Sequence, residues 1–88
     1  MSDDIQTKLA EAQKALAASK PAIAAKLLSD ILKLDASHRD ANYYLAVINR
    51  QAGQPDKALT HLSEILRIDP RDATASQEKG FSEMAINQ

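Results

Sequence analysis

Apolar residues recur at every third or fourth position along most of the chain, the spacing that places them on one face of an α-helix. Short polar stretches that contain Pro, Gly or Ser interrupt this periodicity. The pattern predicts an all-α chain of five helices. They run from Asp3 to about Ala18, from Pro21 to about Leu34, from the SHRD segment to about Ala52, from Pro55 to about Ile68, and from Arg71 or Asp72 to near the C-terminus.

Residues that start and end helices lie at the same boundaries. Pro21 and Pro55 fit the first turn of a helix, where the missing N–H has no intrahelical partner. Gly53 fits the left-handed position that ends a helix. The predicted side-chain caps are Ser2 or Asp3 for helix one, Ser19 for helix two, Ser37 for helix three and Asp69 for helix five.

Each predicted helix has an apolar face that should pack against its neighbours. The faces contain Ile5, Leu9, Ala12 and Leu16 in helix one; Ala24, Leu27, Leu28, Ile31 and Leu32 in helix two; Ala41, Tyr44, Leu45, Ile48 and Ala52 in helix three; Ala58, Leu62, Ile65 and Leu66 in helix four; and Ala73, Phe81, Met84 and Ala85 in helix five.

Helices two and four have nearly the same sequence. The two segments are AAKLLSDILKLD at 24–35 and ALTHLSEILRID at 58–69. They have identical Ala, Leu, Ser, Ile, Leu and Asp residues at equivalent positions, 34 apart. Pro21 and Pro55 are also 34 apart, as are Ser19 and Gly53. The repeated helix and turn chemistry indicate duplication of a unit made of a helix, a tight turn and a second helix.

Composition favours helices and excludes several classes of function. The chain contains sixteen Ala, ten Leu and seven Ile but only one Val and three aromatic residues, a balance that favours helices over strands. Eleven basic and twelve acidic residues show no run of one sign, so no nucleic-acid or lipid-binding surface is predicted. No Cys is present for disulfides or metal ligation. Because MSDDIQ lacks signal-peptide features and no apolar stretch reaches membrane-spanning length, a cytoplasmic location is expected.

A two-helix unit with a period of 34 resembles the tetratricopeptide repeat. The second copy has that family's pattern at Ala58, Leu62, Ile65, Asp69 and Pro70, and QAGQPDKAL is similar to the family's turn. The first copy matches at 24, 28, 31 and 35, with Ala in place of Pro at 36. The resemblance implies a right-handed α-solenoid of antiparallel helix–turn–helix repeats at 5–38 and 39–72, followed by a capping helix at 73–87.

The first helix of each repeat departs from the family pattern. Lys8 and Asn42 stand where the family has a bulky aromatic residue, and Ala15 and Asn49 stand where it has an inward Tyr. The large and small residues Leu45 and Ala46 do match. The resemblance therefore rests mainly on the second helices and the turns.

The resemblance implies a protein-interaction module, in which the first helix of each pair lines a concave side that binds a peptide or partner segment. Tyr and Arg are also enriched at binding hot spots. A merely solvated face is the alternative for these positions. The predicted partner-binding residues are Asp40, Tyr43, Val47, Arg50, Gln77 and Phe81, and Gln6, Leu9, Gln13, Tyr44 and Thr74 occupy further positions of the same side, with Tyr44 expected in the core.

One subtype of the family binds C-terminal carboxylates of chaperone tails with Lys, Asn and Arg side chains. The corresponding positions here hold Leu9, Gln13, Tyr44, Thr74 and Glu78, and the Glu78 carboxylate would repel a ligand carboxylate. That subtype is disfavoured.

Catalytic, cofactor and metal sites are not predicted. Gly occurs only at positions 53 and 80, which excludes a glycine-rich phosphate loop, and no nucleophile motif is present. His38 and His61 have no second His at ligand spacing, so surface roles are expected for both.

Two other functions stay open. ANYYLAVINRQAG and ASQEKGF are similar to the repeat region that precedes the catalytic domain of bacterial sulfotransferase-like proteins, which would make the chain an N-terminal structural or regulatory domain of a larger enzyme. The apolar residues Phe81, Met84 and Ile86 would instead allow a homodimer to form through the C-terminal helix.

Overall fold

The computed structural model describes the backbone of residues 2–87 and the side chains of residues 4–87. In these residues it contains five α-helices and no strand, so the all-α prediction is confirmed. The predicted cap of the first helix by Ser2 or Asp3 lies outside the described side chains. The helices are α1 (Ser2–Ala17), α2 (Pro21–Leu34), α3 (Arg39–Gln51), α4 (Pro55–Ile68) and α5 (Ala73–Ile86).

Consecutive helices pack against each other from α1 to α5, and α3 also contacts α5. The connections are only three or four residues long, which makes neighbouring helices antiparallel. The α3–α5 contact places the third and fifth helices side by side, and a hydrogen bond from Gln13 to Tyr44 connects α1 to α3. The partner-binding residues predicted from the sequence belong to α3 and α5.

The duplicated segments bury the same positions. Ala, Leu and Ile at 24, 28 and 31 of α2 are buried, and so are their counterparts at 58, 62 and 65 of α4. The α2 residues pack with α1 and α3 in one apolar cluster, and the α4 residues pack with α3 and α5 in a second. Leu45 belongs to the first cluster and Ala46 to the second, so α3 is the helix that joins the two halves of the core.

The turns after α1 and α3 are built in the same way. Ser19 and Gly53 have left-handed backbone, with φ of 59° and 80°. In each turn the N–H groups of the left-handed residue and of the residue after it bond back to the preceding helix. The second of these bonds joins Lys20 to Ala15 and Gln54 to Asn49, both at 2.8 Å. This is the Schellman arrangement that ends helices. Gly53 was predicted in this role, whereas the predicted capping role of Ser19 is wrong because its backbone ends α1.

Two other predicted caps are shifted along the chain. The Nδ1 atom of His38, and not the hydroxyl of Ser37, accepts from the N–H of Ala41 at the start of α3. At α5 the carboxylate of Asp72 accepts from Ala75, while Asp69 ends α4 instead. Each polar turn contains several candidate acceptors, and the path of the chain selects the one that reaches the free N–H groups.

The predicted packing face of α5 is wrong. Ala73, Phe81 and Met84 are exposed, and the buried positions are Ala75, Glu78 and Ser82. A Cβ at Gly80 would meet nothing within 4 Å, so a close approach there is not needed. Ala52, expected in the core, is exposed at the end of α3. The buried Glu78 is held by a charged partner on α3.

Candidate partner-binding site

Side-chain contacts join α1, α3 and α5 on one side of the array. The Nε2 atom of Gln13 donates to the hydroxyl of Tyr44 at 3.1 Å. Tyr44 and Tyr43 form an edge-on pair with ring centroids 5.8 Å apart. We call the predicted concave side the α1–α3–α5 face. The residues predicted on it from the resemblance are Gln6, Leu9 and Gln13 of α1, Asp40, Tyr43, Tyr44, Val47 and Arg50 of α3, and Thr74, Gln77 and Phe81 of α5.

One ionic cluster lies where α3 and α5 begin. The guanidinium of Arg39 donates to both carboxylate oxygens of Asp72, at 2.8 and 2.9 Å, and to Asp40 at 3.1 Å. It also donates to the hydroxyl of Thr74 and lies 4.8 Å from the ring centroid of Tyr43. These hydrogen bonds hold the pKa of the Asp72 carboxyl well below its usual range and raise the pKa of Arg39.

A second ionic pair joins α3 to α5 near the middle of α5. Arg50 donates two hydrogen bonds to the carboxylate of Glu78, through Nε and through Nη2 at 3.1 Å. The Glu78 side chain is only 6% exposed, so its charge depends on this partner. The bonds raise the pKa of Arg50. The same guanidinium lies 5.5 Å from the ring centroid of Phe81, which fixes that half-exposed ring against α3.

The structure brings some of the predicted residues together and leaves others apart. Arg50 contacts Phe81, and Tyr43 packs against the second apolar cluster beneath Arg39. Val47 is half-buried and Gln77 is exposed. Among the described side chains, no hydrogen bond or ion pair involves either of them. The partner-binding role of all six residues stays a prediction.

Three residues of this region were missed or misread from the sequence. The sequence pattern predicts no role for Arg39 and only the repulsion of a ligand carboxylate for Glu78, and Asn42 departs from the family pattern. Arg39 and Asp72 are separated by 33 positions, and Arg50 and Glu78 by 28. A single sequence gives no signal for pairs so far apart.

The histidines have structural contacts. The buried Asn42 donates to the backbone carbonyls of Ala36 and His38, both at 3.1 Å. Its oxygen therefore faces Nδ1 of His61, 3.0 Å away, as the acceptor. Burial lowers the pKa of His61, which favours the neutral ring. His61 thus ties α4 to α3, and the expected surface role is wrong for it.

Within residues 4–87 no three His, Asp or Glu side chains are arranged to hold a metal ion. No helix in the described part of the chain has the length and apolar character needed to cross a membrane.

The comparisons with known proteins agree with this architecture. The family model for the tetratricopeptide repeat matches residues 9–73, most of the chain. A search of curated proteins gives no significant match. Domains of this family generally act as scaffolds for protein–protein interaction and are typically not catalytic. On the strength of the family match and the five-helix array, the chain belongs to the tetratricopeptide repeat family.

Proposed function

We propose that this chain is a protein-interaction module that binds a peptide or partner segment on the α1–α3–α5 face. The observation that carries the proposal is the contact between Arg50 of α3 and Phe81 of α5, which places an aromatic ring that is 45% exposed against α3. The half-buried Val47 and Tyr43 precede Arg50 by three and seven residues, so they share its side of the helix. Aromatic side chains held in place at a surface suit binding because little conformational freedom remains to be lost.

We also propose that the functional unit consists of two repeats, at 5–38 and 39–72, and a capping helix at 73–87. The equal burial of α2 and α4 supports the two repeats. The exposed Ser76, Lys79 and Glu83 on α5 support a cap, because polar side chains suit a face that water covers. The cytoplasmic location, and the expectation that the chain carries no catalytic, cofactor or nucleic-acid site, stay predictions from the sequence.

The test is to select peptides from a phage-displayed 12-residue library against the protein and to map their binding by backbone amide shifts. Shifts should centre on α3 and α5, and Phe81→Ala should weaken binding at least tenfold. Ile68→Ala is the matched control, because Ile68 is an apolar residue of similar exposure on α4 and should have no effect. Peptides that shift only α2 and α4 would overturn the proposal.

A homodimer through α5 is the second candidate. Met84 is 63% exposed and Ile86 is half-exposed, and Ile86 borders a shallow cavity with Leu59 of α4. Light scattering after size-exclusion chromatography should then give twice the monomer mass, and Met84→Asp should return the monomer. A single monomeric species at high protein concentration would reject this candidate.

A further inference from the structure

The two guanidinium groups on the side where α3 meets α5 already have carboxylate partners within the chain. Arg39 donates to Asp72, to Asp40 and to the hydroxyl of Thr74. Arg50 donates two hydrogen bonds to Glu78. A ligand carboxylate would have to compete with these groups for the same donors.

The competition is most costly at Arg50. Its partner Glu78 is 6% exposed, so moving the guanidinium toward a ligand would leave a buried carboxylate without its counter-ion. Asp72 is only 12% exposed, so moving the Arg39 guanidinium toward a ligand would likewise leave a carboxylate without its counter-ion. Neither arginine is therefore free to recognise an acidic segment.

Together, the two ionic groups carry one negative charge in surplus. Around Arg39 one cation faces two carboxylates, whereas Arg50 and Glu78 balance each other. Asp40 is the accessible member of the first cluster, with 45% of its side chain exposed. The surplus negative charge therefore faces solvent at Asp40.

Apolar surface follows Asp40 along α3. Asp40, Tyr43 and Val47 are three and four residues apart, so they share one side of the helix and span about 10 Å along its axis. Phe81 of α5 lies beside this row through its contact with Arg50. The order along the face is thus an acidic end followed by aromatic and aliphatic side chains.

We infer that the α1–α3–α5 face selects an apolar segment that carries a Lys or Arg side chain opposite Asp40, and that it discriminates against segments with carboxylates. This inference rests on the proposed function and adds the chemistry of the partner. Charge complementarity at Asp40 sets the orientation of the segment, and contact with Tyr43, Val47 and Phe81 supplies the apolar burial.

The experiment uses an array of 12-residue peptides, acetylated and amidated, in which a constant apolar core of Leu and Phe is flanked by Lys, Ser or Glu. Lys peptides should bind about fivefold more tightly than Glu peptides in low salt. The difference should shrink as salt is raised. Asp40→Asn should abolish the preference while Asp56→Asn, an exposed acid on α4, should keep it. Circular dichroism checks that both variants fold.

The outcomes separate this inference from the proposed function. Peptides that shift α3 and α5 amides equally well with Lys and Glu would overturn the charge preference and leave the interaction module standing. Tighter binding of Glu peptides, or a Lys preference that survives Asp40→Asn, would also overturn the charge preference and leave the interaction module standing. If no peptide of either charge shifts α3 or α5, both ideas fail.

Discussion

Arg50 of α3 and Glu78 of α5 form a two-bond ion pair at a position where the helical pattern of α5 predicts solvent. The Glu78 side chain lies in the row Ala75, Glu78 and Ser82 that α5 buries. A carboxylate in that row is tolerated because the guanidinium supplies charge and two donors together. The pair therefore fixes which side of α5 faces the array.

Glu78→Gln should lower the free energy of unfolding by about 1–3 kcal/mol, because the charged hydrogen bonds from Arg50 are replaced by weaker ones to an amide. Urea denaturation followed by circular dichroism measures the change. Glu64→Gln is the control. Glu64 also pairs with an arginine, Arg67, but its side chain is 31% exposed, against 6% for Glu78, and its loss should leave the midpoint unchanged. Equal effects of the two substitutions would contradict the structural role of Glu78.

Single substitutions at the two left-handed turn residues, Ser19 and Gly53, should change the free energy of unfolding in opposite directions. Ser19→Gly should raise the free energy of unfolding by about 0.5–1 kcal/mol, since the cost of a side chain at φ 59° exceeds the entropy that glycine adds to the unfolded chain. Gly53→Ala should lower it by a similar amount. No atom lies within 4 Å of a Cβ at Gly53, so the loss would report backbone strain without a steric clash, reduced by the unfolded-state entropy that alanine removes. Both free energies come from chemical denaturation.

Ser82→Ala should stabilise the protein by about 1 kcal/mol. The Ser82 hydroxyl is fully buried and has no hydrogen-bond partner among the described residues, so its desolvation is not compensated. Alanine also has the higher helix propensity. Ser76→Ala, at an exposed position of the same helix, measures the propensity effect alone. A gain at Ser82 no larger than that at Ser76 would show that the hydroxyl is satisfied.

Acid should destabilise the protein through Asp72. Its pKa in the folded state lies below the unfolded value of about 4, so its contribution is complete above that pH and is lost as pH falls toward the folded pKa. Asp72→Asn should flatten this part of the stability profile while keeping the cap on α5. Asp72→Asn and Asp72→Ala should both lower stability at neutral pH, and Asp72→Ala more so, because it also loses the cap. The measurement is urea denaturation from pH 6 down to about 2; an Asn variant with the same acid limb as the original protein would contradict the pairing with Arg39.

Much of the architecture could be predicted because its causes are local. Gly53, Pro21 and Pro55 mark helix ends through their own backbone restrictions, and the period of 34 shows in the letters of α2 and α4. The predicted cap of α3 was misplaced because of a contact outside the local sequence. Ser37 has the right chemistry to cap α3, but its hydroxyl donates to Glu64 of α4.

The sequence by itself determined the number and approximate bounds of the helices, the repeat and the buried faces of α2 and α4, because helical periodicity and turn chemistry act within a few residues. Only the tertiary structure decided which face α5 buries and which charges on α3 stay accessible. These depend on the ion pairs of Arg39 with Asp72 and of Arg50 with Glu78. The members of these pairs lie 33 and 28 positions apart in the sequence. The physical reason is that a buried charge is stable only beside its partner, and the fold sets where that partner lies.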